Sequence, residues 1–153
     1  MATITKTLYD TDFVEWTAHT ADLLRQGRFD EVDLEHVVEE IEDMGKRDFS
    51  AARSQLRRML VHLIKQKIQP ERDGASWQGS IANAQDELLD SIRDSPSLRR
   101  RLSGEIANVY PRAVRIALIE TGSSSPQGAL AVPDRCPFTL AELLDSHPDS
   151  LHF

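Results

Sequence analysis

The fold is decided by residues 33–67, which read DLEHVVEEIEDMGKRDFSAARSQLRRMLVHLIKQK. Apolar residues recur in this stretch at steps of three and four, which is the spacing of one face of an α-helix. The pattern therefore predicts one long amphipathic helix, or two coaxial pieces that meet near Gly45, and its apolar face should be buried. That face comprises Leu34, Val37, Val38, Ile41, Met44, Ala52, Leu56, Met59, Leu60, Leu63 and Ile64.

Gly45 interrupts this helical pattern near its middle. A glycine inside a helix costs about 1 kcal/mol relative to alanine, so its presence needs a reason. It marks either the close approach of another helix or a slight bend. The sequence leaves these two alternatives open.

Shorter helices are predicted before and after the long one. Asp12 and Glu15 have the spacing of a capping box, and Gly27 follows the last periodic residue of the helix that they start. Another helix follows the polar turn at 71–76, and its apolar face comprises Trp77, Ile81, Ala84, Leu88 and Ile92. The helix that begins near Asp12 and the long helix are joined by a short link, which favours an antiparallel arrangement of these two helices.

A further long helix should start at Ser95 and Pro96 and end at Gly122, because serine caps a helix well and proline suits its first position. Pro111 removes one backbone hydrogen bond from it and should kink it. Thr139 and Glu142 then form a second capping box, which predicts a short helix over residues 139–146 that docks on the bundle.

The predicted fold class is therefore all-α: an antiparallel bundle of about four main helices around one long central helix, with a short C-terminal helix. The 153 residues fit a single domain over 1–153, with a loose N-terminal arm at 1–8 and a flexible linker at 123–135. A hydrophobic content of 40% is too high for a disordered chain, so a folded core is expected.

Net charge and cysteine content restrict the class of protein. A formal charge of -7 makes nucleic acid and anionic membranes unfavourable partners for the chain as a whole. The single Cys136 allows no intrachain disulfide, and we expect neither a secretory signal nor a membrane span, because the charged N-terminal residues lack an apolar run and no stretch of about 18 apolar residues occurs. We expect a cytoplasmic protein of a reducing compartment.

The chain also resembles a known bacterial family across nearly its whole length. The resemblance rests on a co-linear series of short motifs: Leu8-Tyr9 with Asp12-Phe13 and Trp16, Leu23-Leu24 through Gly27 and Phe29, Glu39-Glu40-Ile41-Glu42 before Met44-Gly45, His62-Leu63 with Lys65, Gln69-Pro70-Glu71-Arg72 before Trp77, Ser95-Pro96-Ser97-Leu98, and Cys136-Pro137-Phe138-Thr139 before Leu143-Leu144. The chain is similar to members of domain of unknown function 29. This resemblance implies an all-helical fold, and it implies no activity, cofactor or catalytic residue.

Acidic residues are the first candidates for a chemical site. Carboxylates three or four residues apart on a helix share a face and can hold Mg²⁺ or Mn²⁺. All-helical nucleotide pyrophosphatases use acidic helix pairs of this general kind, although the gap between the two blocks is longer here. A solvated helix face is the alternative reading. The candidate metal residues are Glu39, Glu42 and Asp43 on the long helix and Glu87 and Asp90 on the next.

His62 could complete a metal site if it faces the acidic helix, since histidine and glutamate together suit a transition metal. His36 offers the same chemistry with Glu39 or Glu40. The alternative for such a histidine is a structural pair with a carboxylate, because four ligands cannot be assembled from the sequence.

Arg99, Arg100 and Arg101 lie in the early turns of a predicted helix, where positive charge opposes the helix dipole. They predict either an anion or partner patch, or ion pairs with the acidic helix that precedes them. A third possibility is nucleic-acid binding, which the overall charge makes the weakest.

Cys136 has no histidine that can be assigned as its base, so it reads as a small buried side chain rather than a nucleophile. No phosphate-binding glycine loop, zinc-ligand spacing or serine triad motif is present. The sequence favours a small helical interaction or regulatory module without catalytic activity and without a cofactor, which binds a protein partner or a second copy of itself. The alternative is an enzyme that uses Mg²⁺ or Mn²⁺ on a phosphorylated or nucleotide substrate.

Overall fold

The computed structural model describes residues 7–123 and 131–153, and the secondary structure of these residues is helical without any strand. The all-α prediction is confirmed, and the long helix packs against others in a bundle. The six α-helices of the described residues are α1 (Leu8–Thr11), α2 (Phe13–Arg25), α3 (Leu34–Ile68), α4 (Ala75–Asp94), α5 (Ser97–Glu120) and α6 (Leu140–Asp145). Single 3₁₀ turns occur at Phe29–Glu31, Pro70–Arg72 and Pro148–Ser150.

Both ends of α2 lie where the local sequence predicts them, whereas α5 begins at Ser97 without the predicted serine cap, because no side chain caps it. The Asp12 carboxylate accepts a hydrogen bond from the Glu15 amide at 3.0 Å, which caps α2. At the other end, Gly27 has a φ of 71°, and the amide of Arg28 donates to the Leu23 carbonyl at 2.9 Å. This left-handed glycine therefore closes α2 as predicted.

Helix α5 ends in the same way at Gly122, which has a φ of 67°. The helix continues through Pro111, and the kink expected there stays a prediction. The capping box of α6 is complete: the Thr139 amide donates to the Glu142 carboxylate at 2.7 Å, and the Glu142 amide donates to the Thr139 hydroxyl at 3.2 Å. The short C-terminal helix is thus confirmed.

The chain divides into two compact units, Met1–Lys46 and Arg47–Phe153. The second unit has a continuous hydrophobic core to which α3, α4, α5 and α6 all contribute. Its largest fully buried side chains are Leu56, Met59, Leu60, Leu63, Ile64, Ile81, Leu88, Leu102 and Leu143. The prediction of one domain over residues 1–153 stays a prediction.

Burial of the apolar face of α3 is confirmed only for its second half. From Ala52 onward the predicted residues are at most 1% exposed. Earlier in the helix, most of them are open to solvent, so the prediction that the whole face is buried was wrong there. The exposed members are Leu34 (67%), Val38 (46%), Ile41 (64%) and Met44 (62%).

The reason is that the first unit packs through a different face of α3. The Tyr9 ring stacks on the His36 ring with centroids 3.9 Å apart, and the Tyr9 hydroxyl donates to a Glu40 carboxylate oxygen at 2.7 Å. Residues two apart on a helix point about 200° apart, so Leu34 and Val38 face away from His36. These aromatic and polar contacts attach α3 to the rest of the first unit, and they leave the apolar face of the helix exposed to solvent.

Two further predictions concern Gly45 and the segments outside the helices. A Cβ atom built on Gly45 would meet nothing within 4 Å, so the described residues show no close helix approach there. Helix α1 begins at Leu8 and therefore occupies the end of the predicted arm, whose residues 1–6 lie outside the described residues. Residues 124–130 of the predicted linker also lie outside them, whereas Val132 is only 7% exposed.

Candidate functional site

The exposed apolar residues of α3 form the first candidate site, which we call the apolar stripe and define as Leu34, Val38, Ile41 and Met44. Their spacing of four, three and three residues places them along one side of the helix. The stripe is about 15 Å long at 1.5 Å of rise per residue. Single exposed apolar residues are ordinary on protein surfaces, but a row of them on successive turns is typical of a helix that pairs with another helix.

Acidic side chains of α3 lie beside the apolar stripe, since Glu35, Glu39, Glu42 and Asp43 are exposed on the same helix, and the first unit as a whole is strongly negative. Residues 1–46 contain 12 Asp and Glu against 4 Lys and Arg, a formal charge of -8, whereas residues 47–153 contain 13 against 14, a charge of +1. Lys46 compensates this charge only weakly, since its ammonium lies 3.9 Å from the Glu42 carboxylate and 3.8 Å from that of Asp43, in solvent-exposed pairs. The first unit therefore presents apolar side chains within an acidic surface.

The predicted metal residues belong to different parts of the fold. Glu39, Glu42 and Asp43 lie on α3 in the first unit, whereas Glu87 and Asp90 lie on α4 in the second. Within residues 7–123 and 131–153, no group of three or more His, Cys, Asp or Glu side chains could hold a metal ion. The metal site stays a prediction that this geometry does not favour.

His62 lies in the second unit and binds the protein backbone. Its Nδ1 atom is 2.9 Å from the Arg58 carbonyl oxygen, so Nδ1 carries the proton and donates to it. Burial lowers the pKa of His62 below its usual value. The lowered pKa favours the neutral form of the imidazole. The hydrogen bond of His62 goes to a carbonyl, whereas the sequence had suggested a structural pair with a carboxylate.

His36 pairs with Asp33 and not with Glu39 or Glu40, the partners that its sequence position suggested. The His36 Nδ1 atom lies 2.5 Å from the Asp33 carboxylate, which also accepts the His36 amide at 3.3 Å. This hydrogen bond raises the pKa of His36 and lowers that of Asp33. Asp33, which precedes α3, thus forms one structural cluster with His36 and the Tyr9 ring, and this cluster leaves the apolar stripe open.

Two of the three consecutive arginines on α5 have close partners. A guanidinium nitrogen of Arg99 donates to the Asp145 carboxylate at 2.8 Å, and the Arg101 guanidinium carbon lies 4.3 Å from the centroid of the Phe49 ring. Arg100 lines a shallow depression beside α6 together with Arg99. The counter-charge of Arg99 therefore comes from α6 and not from the acidic α4, while a ligand for this patch stays a prediction.

Cys136 is half-buried, and its thiol donates to the Phe138 carbonyl at 3.4 Å. Burial raises the pKa of the Cys136 thiol, which favours the unreactive protonated form. The sequence predicted a small buried side chain, whereas Cys136 is only partly buried; its hydrogen bond and raised pKa do not favour a nucleophile. It lines an open, mainly apolar depression with Tyr110 and Pro111.

A cleft between α3 and α5 was missed from the sequence. We call it the arginine cleft, because Arg53 and Arg57 of α3 and Arg112 of α5 all line it. Its volume is about 390 Å³. Each helix contributes residues at the spacing of one helical face, a signal that was present in the sequence as Ser50-x-x-Arg53 followed by Ser54-x-x-Arg57.

Comparison with known proteins identifies a family. The family model described as domain of unknown function DUF29 matches residues 8–147. Searches of curated proteins and of solved structures give no match. Within the described residues, no helix combines the length and the apolar character needed to cross a membrane.

Proposed function

We propose that this chain, which belongs to the DUF29 family, is a non-catalytic protein-interaction module whose partner presents an amphipathic helix with basic edges. The partner helix lies along the apolar stripe of α3. Its own apolar side chains cover Leu34, Val38, Ile41 and Met44, and its lysines or arginines face the surrounding carboxylates. The setting that we propose is the bacterial cytoplasm.

The observation that supports this function most is the exposure of the apolar stripe. Ile41 is 64% exposed, whereas Ile64, which lies on the same apolar face later in the helix, is fully buried. Covering such a side chain on binding contributes roughly 1.5 to 3 kcal/mol, because the burial of apolar area is favourable. Four such residues in a row supply the central anchors of a helix-to-helix interface.

Charge decides which partner fits this surface. Two copies of a unit with a formal charge of -8 would repel one another if their stripes met face to face. A partner with basic edges would instead be attracted to the acidic surface, and its approach would be accelerated at low salt. We therefore favour a different, basic partner over a second copy of this chain.

A designed peptide tests this function directly. The probe is a helical peptide with leucine in a heptad seam and lysine at the flanking positions, and its control carries glutamate at those flanks. Calorimetry should detect binding of the lysine peptide only, with affinity that falls as salt rises. Ile41→Ser should weaken this binding by about 10-fold or more, since it removes a central apolar anchor.

Ile119→Ser is the matched control, because Ile119 is 63% exposed on α5 and Ile41 is 64% exposed on α3. It should leave the affinity for the lysine peptide unchanged. Equal weakening by both variants, or equal binding of both peptides, would contradict the proposal. If light scattering showed a dimer that Ile41→Ser abolishes, the partner would be a second copy of this chain. The proposal of a different, basic partner would then be overturned.

A further inference from the structure

The arginine cleft carries an inference that is independent of the proposed interaction surface. Its walls are two helix faces of the second unit: α3 provides Arg53, Ser54 and Arg57, and α5 provides Glu105, Asn108 and Arg112. On α3 these residues lie three, four and seven positions after Ser50, which also lines the cleft, and on α5 Asn108 and Arg112 lie three and seven positions after Glu105, so each set occupies one side of its helix. Polar groups that come from two separate stretches of sequence are thus brought to one cavity.

The charges in this cavity are unbalanced. Among residues 7–123 and 131–153, three guanidinium groups line it with a single carboxylate, that of Glu105. Arg53 lies 3.6 Å from the Glu105 carboxylate, whereas neither Arg57 nor Arg112 forms an ion pair in the part of the chain that the structure describes. Like charges held together repel one another, and a bound anion would remove that cost.

The chemistry of the lining groups points to the kind of anion. Guanidinium groups bind phosphate through paired hydrogen bonds in a fixed planar geometry. The Ser54 hydroxyl and the Asn108 amide are neutral donors that can complete the contacts of such a group. A cavity of about 390 Å³ falls within the usual range for small-molecule sites, and it is larger than a phosphate ion alone requires.

We propose that the arginine cleft binds a small organic phosphate of about the size of a nucleoside monophosphate. Arg57 and Arg112 hold the phosphate group, with Arg53 beside them. Glu105 is 24% exposed and lies at the edge of the same charge cluster, where it weakens anion binding through repulsion. The buried Val109 side chain provides an apolar contact for the organic part of the ligand.

Binding of adenosine monophosphate to the full chain, measured by calorimetry at low salt, tests this proposal. Adenosine, which lacks the phosphate group, is the companion ligand and should not bind. Arg112→Gln and Arg57→Gln should each weaken binding of the monophosphate by about 10-fold or more, because each removes a charged hydrogen-bond donor. Glu105→Gln should strengthen it several-fold, because it removes the one carboxylate that the described residues contribute to the cleft.

Arg100→Gln is the control for a general effect of surface charge, since Arg100 lies on α5 outside the arginine cleft. It should leave the affinity unchanged. Equal weakening by Arg100→Gln and Arg112→Gln, weaker binding in Glu105→Gln, or no binding of the monophosphate by the wild type would overturn the proposal. Arg112 is exposed, so its substitution should preserve the fold, and an unchanged melting temperature checks this. Ile41→Ser should leave this binding intact, which separates the two proposals.

Discussion

Replacing Leu56 with alanine should lower the free energy of unfolding by about 3 to 5 kcal/mol. Leu56 is fully buried in the core of the second unit, and its truncation loses both the burial of apolar atoms and the contacts around the resulting cavity. Urea denaturation followed by circular dichroism measures this loss. A reduction of this size is a large share of the stability of an ordinary domain.

Leu34→Ala is the matched control, because it makes the same change on the same helix at a side chain that is 67% exposed. Its effect on the free energy of unfolding should stay within about 0.5 kcal/mol, as is usual for surface positions. Comparable losses in the two variants would mean that Leu34 is covered in the free protein. That outcome would contradict the division of the apolar face into a core half and a surface half.

Replacing Gln85 with leucine should lower the free energy of unfolding by about 2 to 3 kcal/mol, the second largest loss that we predict. The buried Gln85 amide donates two hydrogen bonds, each of 2.8 Å, to the carbonyl oxygens of Leu143 and Ser146. Leucine has no donors, so both carbonyls lose their partner while the side chain remains close in volume. Because these carbonyls lie at the end of α6, the variant should also loosen that helix.

Hydrogen exchange separates this local effect from a general loss of stability. The amides of Leu140–Asp145 should exchange faster in Gln85→Leu than in the wild type, whereas those in the second half of α3 should change less. Gln78→Leu is the control, because it makes the same change on the same helix at a side chain that is exposed, and it should leave both regions unchanged. Unaltered protection of α6 in Gln85→Leu would show that these two hydrogen bonds do not hold it.

Apart from α1 and the start of α5, the helices and their ends were predictable because the signals that produce them are local. A capping carboxylate at Asp12, a left-handed glycine at Gly27 and a reciprocal box at Thr139 each act within a few residues of chain. The same holds for α3, whose continuous three-and-four spacing overrides the weak propensity of Gly45.

Burial of the first half of α3 was not predictable in the same way. Periodicity specifies that Leu34, Val38 and Ile41 share a face, but it does not specify what covers that face. In the first unit the contacts with α3 go through the Tyr9 ring and His36 instead. The apolar stripe is exposed because a different face of α3 makes the packing contacts, and the periodicity of the sequence does not specify which face will do so.

The candidate sites show the same difference between what is local in sequence and what depends on tertiary packing. The carboxylates of Glu39 and Glu87 were picked out by residue type, but the described residues bring no metal-binding group together. The arginine cleft was visible as spacing along α3 and along α5 separately. Its recognition required the knowledge that these two faces oppose each other, which is tertiary information.

The central claim is that α3 carries one apolar face of which the first half is open to solvent and the second half is core. Thiol labelling of two cysteine variants, Ile41→Cys and Ile64→Cys, each in a Cys136→Ser background, tests it most directly. Ile41 is 64% exposed and Ile64 is fully buried, so the first variant should react with a thiol reagent at nearly the rate of an unfolded peptide and the second only after denaturation. Equal protection of both thiols in the monomeric protein would contradict the claim.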